Sequence, residues 1–128
     1  MPEKAQETLG RNDRRGKLKN RTSIDERPGI VDTRQRLGDW EVDTIIGKGH
    51  RQAIVSLTER KSRLALLRKV ERKTAQAVSD AVIELLETLP IQPYTITADN
   101  GKEFADHERI GRNLHAKVFF AHPYSSWE

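Results

Sequence analysis

In the stretch DWEVDTII, Trp40, Val42, Thr44 and Ile46 fall on one side and Asp39, Glu41 and Asp43 on the other. This period of two predicts a strand with one apolar and one acidic face. GKGHRQ then reads as a hairpin loop, AIVSLTE as a second strand, RKS as a tight turn and RLALLRKVE as a third strand, an antiparallel meander. After Lys73 the period changes. Val78, Val82, Leu85, Leu86 and Leu89 recur at i, i+4, i+7, i+8 and i+11, the stripe of an amphipathic helix, with Thr74 as N-cap and Pro90 as a stop. PYTITAD reads as a fourth strand, KEFADHERIGRNL as a second helix and AKVFFAH as a fifth strand. The predicted order is β-β-β-α-β-α-β, in which the first helix carries the chain back to the sheet.

Residues 1–36 carry no such periodicity and read as a basic, flexible arm or linker, with order expected to begin near Gly38. Between Arg11 and Arg21 six Lys or Arg face one acid, and such a segment buries too little apolar surface to offset its ordering entropy. It is either a solvated tail or a contact for a nucleic-acid backbone through Arg14, Arg15, Lys17 and Lys19. The net charge of +4 leans towards a polyanionic partner. The absence of cysteine excludes a disulfide scaffold, a thiolate zinc site and a thiol nucleophile. No apolar run approaches the roughly 20 residues of a membrane span, and the first residues lack the apolar core of a signal peptide, so a cytoplasmic protein is expected.

The chemistry worth testing lies in the carboxylates. Asp39, Glu41 and Asp43 repel one another on one strand face unless water or a cation compensates them. The fourth strand points Thr95, Thr97 and Asp99 to one side and then turns at once through Asn100 and Gly101. If the crossover sets that strand beside the first, Asp43 and Asp99 converge. Two convergent carboxylates without Cys or clustered His suit a hard cation, Mg²⁺ or Mn²⁺. The plainer readings are a solvated strand face and an ordinary strand end with an Asn-Gly turn. His50, His107 and His115 are scattered and read as surface or turn residues.

Four stretches in order, RLGDWEVDTIIGKGH, LTERKSR, TITADNGKEFADH and HPYSSWE, closely resemble the catalytic domain of bacterial insertion-sequence transposases of the insertion-sequence-thirty family, from about Asn20 to Glu128. The resemblance implies the DDE class and an α/β fold, a ribonuclease H-like mixed sheet with flanking helices. It makes residues 37–128 a catalytic core, Asp43 the first catalytic aspartate and Asp99 the second, each holding Mg²⁺ or Mn²⁺ in a two-metal site. The activity implied is cleavage at the ends of a mobile element and transfer of the freed 3′-hydroxyl to target DNA. Asn100, Lys102 and Tyr124 become candidate DNA contacts, Asn100 being otherwise only a turn former. His122, Tyr124 and Trp127 match the approach to the last catalytic helix, through DNA contact or plain packing.

In that family a third acid, a glutamate, follows on a helix entered just after SSWE, and Glu128 matches the residue before that helix. The chain therefore reads as a core truncated before its last catalytic helix and inactive alone, with apolar residues of strands one and four exposed and prone to association. A second reading is a non-catalytic module that binds DNA through the arm, self-associates or pairs with a full-length transposase. A third is a nuclease of other purpose in which Glu41 or Glu128 supplies the third acid.

Overall fold

The alternating runs become strands of a single mixed sheet in the computed structural model, which describes residues 20–122 apart from Lys48 and His50. In chain order the elements are β1 (Thr22–Ser23), a 3-10 turn (Ile24–Glu26), α1 (Ile30–Thr33), β2 (Asp39–Ile46), β3 (Ala53–Glu59), β4 (Ala65–Val70), α2 (Ala75–Glu87), β5 (Thr95–Ala98), a second 3-10 turn (Lys102–Phe104), α3 (His107–Leu114) and β6 (Lys117–Phe120). The sheet order is β1-β6-β5-β2-β3-β4. β2, β3 and β4 form the antiparallel meander, while β5 lies parallel to β2, β6 to β5 and β1 to β6. The predicted order is observed from β2 onward, with a short strand, a 3-10 turn and a one-turn helix added at the front.

Helix α2 forms where the periodicity places it. The Thr74 hydroxyl accepts from the Ala77 amide at 3.1 Å, filling one of the donors that a helix start leaves open. Its buried stripe of Val78, Val82 and Leu86 packs on Trp40, Val42, Val55, Leu57 and Ile96. Each large apolar side chain so buried contributes about 1.5–3 kcal/mol.

The predicted second helix over 102–114 is instead two pieces. A 3-10 turn ends at Phe104 and α3 starts at His107, because the Asp106 carboxylate does not cap the helix. It accepts from the Ser79 hydroxyl of α2 at 3.2 Å, fastening the two helices together.

The stretch from Asn20 to Arg36, read from the sequence as arm, is docked on the sheet. β1 pairs with β6, Thr22 opposite Phe119 and Ser23 opposite Phe120. Val31 of α1 is fully buried, and Arg27 donates to the Thr97 hydroxyl at 3.0 Å and to Asp32 at 2.7 Å. Elements of two to four residues have no period to detect, and these are held by arginine contacts distant in sequence. The exposed apolar residues follow expectation for the first predicted strand and not for the fourth. β5 is buried throughout, while Ile45 and Ile46 of β2, Ile54 of β3 and Leu67 of β4 are exposed. The sheet continues past β5 into β6 and β1, so that strand is central and not an edge.

Candidate active site

The three acids of β2 lie on one face, and positive partners follow them only part of the way along the strand. Asp39 is buried and accepts from Arg36 Nε and Nη2 at 3.1 and 2.8 Å and from the Thr95 hydroxyl at 2.8 Å. Glu41 forms a close ion pair with Arg60, whose Nε also donates to the Val31 carbonyl at 3.1 Å. Asp43 is exposed and receives the amide of Thr44 at 2.8 Å, and among the described residues no cation pairs with it.

Register decides what Asp43 faces. Asp39 lies opposite Thr95 and Glu41 opposite Thr97 on the parallel neighbour β5. The pairing ends there; carried two residues further, the same register brings Asp43 toward Asp99, the first residue past β5, and the Asp43 charge acts on the Asp99 carboxyl. A one-residue slip would have sent one of the two to the other face.

Asp99 turns the chain. Its Oδ1 accepts the Gly101 amide at 2.8 Å, an Asx turn closed over Asn100. The carboxyl is held above the ordinary aspartate range. Loss of solvent around it is the main cause, and the negative charges of Glu103 and Asp43 add to this, while the Gly101 amide and Lys73 act in the opposite sense.

Glu103 is the residue that sequence reasoning missed. It is 7% exposed, accepts from the Thr44 hydroxyl at 2.7 Å and lies 3.7 Å from Lys73 Nζ. The only signal for it was the Asn-Gly turn, which sends the chain back over the strand ends. Gly101 lets the Glu103 carboxylate lie close over the turn, where a Cβ would oblige that carboxylate to shift.

The other sequence-predicted residues are placed as follows. The Asn100 amide nitrogen donates to the Ala121 carbonyl and its oxygen accepts from Arg21 at 3.1 Å, so the side chain is committed within the fold. Lys102 is exposed beside an open cleft that it lines with Lys73, Ala75 and Glu103. His107, expected at the surface, is buried with its ring edge against Phe120 at 5.1 Å, whereas His115 ends α3 in a left-handed turn. His122 Nε2 lies 2.9 Å from Asp25 Oδ1. Arg14, Arg15, Lys17, Lys19, His50, Tyr124, Trp127 and Glu128 lie outside the described residues.

Among the described residues no group of three His, Cys, Asp or Glu gathers as a metal site, and no helix is long and apolar enough to cross a membrane. The donors that do converge, Asp43 and Asp99, are carboxylate oxygen alone. Loss of solvent holds Asp99 above its ordinary range, and the negative charges of Glu103 and Asp43 add to it. That donor set fits a hard divalent cation, which would relieve the repulsion.

No protein-family model matches the chain. Curated relatives do. It is 46% identical over 114 residues to the transposase for insertion sequence element IS4351 of Bacteroides fragilis, covering 89% of this chain and 35% of the relative. It is 33% identical over 110 residues to transposase InsI for insertion sequence element IS30C of Escherichia coli, covering 85% and 28%. A putative integrase, ORF3 of Spiroplasma virus SpV1-R8A2 B, is 30% identical over 113 residues, covering 87% and 34%. The chain thus spans about a third of the length of the curated relatives it matches. Among solved structures, the catalytic core domain of BIV integrase superposes with a TM-score of 0.56 at 21% identity, covering 69% of this chain and 57% of that one. That likeness is one of fold, and the fold is ribonuclease H-like.

Proposed function

We propose that this chain, homologous over most of its length to insertion-sequence transposases, IS30 members among them, carries part of a DDE transposase active site, with Asp43 and Asp99 holding divalent metal. The observation that supports it is the parallel register of β2 and β5, which carried two residues past its last pair brings Asp43 toward Asp99, whose carboxyl feels the Asp43 charge, together with the loss of arginine partners at Asp43. The reaction proposed is hydrolysis of a phosphodiester at an element end, followed by attack of the freed 3′-hydroxyl on target DNA. Mg²⁺ or Mn²⁺ held there supplies charge stabilisation of the in-line displacement. The protein's share is positioning. Parallel pairing of β2 and β5 points the two carboxylates to the same end of the sheet, and the Gly101 and Thr44 amides each fix one carboxylate oxygen. The second oxygen of each has no protein hydrogen bond among the described residues.

DNA is the proposed partner. Arg14, Arg15, Lys17, Lys19, Lys102 and Tyr124 are its proposed contacts, and Asn100 contributes by shaping the turn. Two carboxylates make an incomplete ligand set for a metal pair, so the 128-residue polypeptide alone is expected not to transpose. Calorimetric titration with Mn²⁺ tests the site: binding is expected, and Asp43→Ala or Asp99→Ala should each abolish it. Titration curves unchanged by both substitutions would refute the metal reading. Metal-dependent cleavage of an element-end duplex that disappears in Asp99→Ala would refute the expected inactivity.

The exposed Ile45, Ile54 and Leu67 favour a second reading, an association module that pairs with itself or with a full-length transposase. Salt-sensitive DNA binding unchanged by Asp43→Ala and Asp99→Ala, together with concentration-dependent self-association, would favour it.

A further inference from the structure

Arg21 stands at the end of the basic run, immediately before β1, and its guanidinium reaches the turn that carries Asp99. Nη2 donates to the Gly101 carbonyl at 2.7 Å and Nη1 to Asn100 Oδ1 at 3.1 Å. The guanidinium carbon lies 4.1 Å from the centroid of the Phe120 ring. A planar fork lying on an aromatic ring and serving two acceptors is geometry that arginine provides and lysine does not.

The contacts form a closed circuit around the turn. Asn100 donates to the Ala121 carbonyl, and the Ala121 amide donates to Ala98 at 2.8 Å, tying the turn to the end of β6. The peptide groups of Gly101 complete it, since the amide holds Asp99 Oδ1 and the carbonyl is held by Arg21. One residue therefore separates the guanidinium from the carboxylate. The placement is costly for Arg21 itself: loss of solvent lowers its pKa to about 10 despite attraction to Asp99 and Glu103, and its Nε is buried with no hydrogen-bond partner. A group put there for stability alone would be better served by an apolar side chain on Phe120.

We infer that Arg21 is a positioning residue that fixes the orientation of the Asp99 carboxylate by clamping the Asn100–Gly101 turn against Phe120 and β6. Its consequence for metal binding rests on the function proposed above, and the fixing of the carboxylate does not. The Gly101 amide reports the clamp directly, because its proton lies in the hydrogen bond to Asp99. NMR amide exchange on the metal-free chain, followed by Mn²⁺ titration, tests the proposal with Arg21→Ala and Arg21→Lys.

In Arg21→Ala the Gly101 amide is expected to exchange about tenfold faster, the loss of one charge-assisted hydrogen bond, with β2 and β3 unaffected. Arg21→Lys, which keeps the charge and the fold but not the fork, should fall in between. Unchanged Gly101 exchange in either variant would overturn the proposal, as would a uniform rise across β2, β3 and β5, the mark of a purely structural residue. Faster Gly101 exchange with weaker Mn²⁺ binding supports both claims. Faster exchange with Mn²⁺ binding that neither Arg21→Ala nor Asp99→Ala alters supports the clamp and refutes the metal reading instead.

Discussion

Asp39 and Asp43 sit on the same face of one strand, and the fold treats them in opposite ways. Around Asp39 every charge is answered: Arg36 grips it with two nitrogens, Thr95 donates to it, and Arg36 in turn lies 4.4 Å from the centroid of Tyr94. Next to it the buried Glu59 takes the Gly38 amide at 2.9 Å and the Ser62 amide and hydroxyl at 2.6 and 2.7 Å. Four residues along β2, the exposed Asp43 has only the Thr44 amide among the described residues. Arginine answers the carboxylate at the start of the strand and leaves the one four residues on without a cation, the contrast that the proposed metal site requires. The contrast also separates stability from function, which makes it testable.

The largest effect is expected at the saturated end. Asp39→Ala leaves the Arg36 fork and the Thr95 hydroxyl without their buried partner and should cost about 3 kcal/mol in urea unfolding. Asp43→Ala should change stability by less than about 0.5 kcal/mol, as befits an exposed site. Equal losses in the two variants would break the comparison. Next in size is stabilisation by metal. At one hundred times its Kd, Mn²⁺ should add about 2.7 kcal/mol to the wild-type chain. Asp43→Ala and Asp99→Ala should lose that gain while Asp39→Asn keeps it, in metal-dependent thermal melts.

The smallest effect is in pH dependence, and the two ends carry opposite signs. Burial alone would raise the Glu59 carboxyl, but the amide and hydroxyl of Ser62 and the amides of Gly38 and Lys61 outweigh it and hold the carboxyl below the ordinary range. Its contribution is present above the unfolded value and lost as pH falls through the folded one. Asp99 is held above its ordinary range, so it opposes folding once pH rises past both values and ceases to do so as pH falls below them. Without metal, Asp99→Asn should therefore stabilise slightly at neutral pH and not at all in acid. Glu59→Gln should destabilise at neutral pH and flatten the acid limb. Denaturant unfolding across pH measures both, and a loss of stability in Asp99→Asn at neutral pH would reverse the assigned sign.

Much of this was legible where period governs. Strands β2 and β3 match their predicted bounds, and Thr74 caps α2 because a polar side chain before an apolar stripe has a local task that needs no distant partner. The Asp43 and Asp99 pairing was readable only conditionally, since parity gives the face of a strand but not its neighbour. The parallel register of β2 and β5 supplies that missing fact. What stayed hidden depends on partners far along the chain. Arg21 meets Asn100 and Gly101, Arg27 meets Thr97, and Glu103 meets Thr44, contacts that leave no periodic trace. The split before α3 was hidden for the same reason, because Asp106 has the sequence position of a cap while its carboxylate is taken by Ser79.

The sheet also ends differently on its two sides. At one edge lies β1, two residues long, which offers a stray strand almost nothing to join. At the other lies β4, six residues whose outer side pairs with no strand among the described residues and with Leu67 at 62% exposure, an edge of the kind that seeds edge-to-edge growth. Arg68 and Lys69 follow Leu67 directly, paired with Glu84 at 2.7 Å and Glu71 at 3.8 Å, and charged side chains on an edge strand discourage another strand from joining it. Keeping that edge from growing thus falls to charged side chains that lie on a strand carrying neither Asp43 nor Asp99.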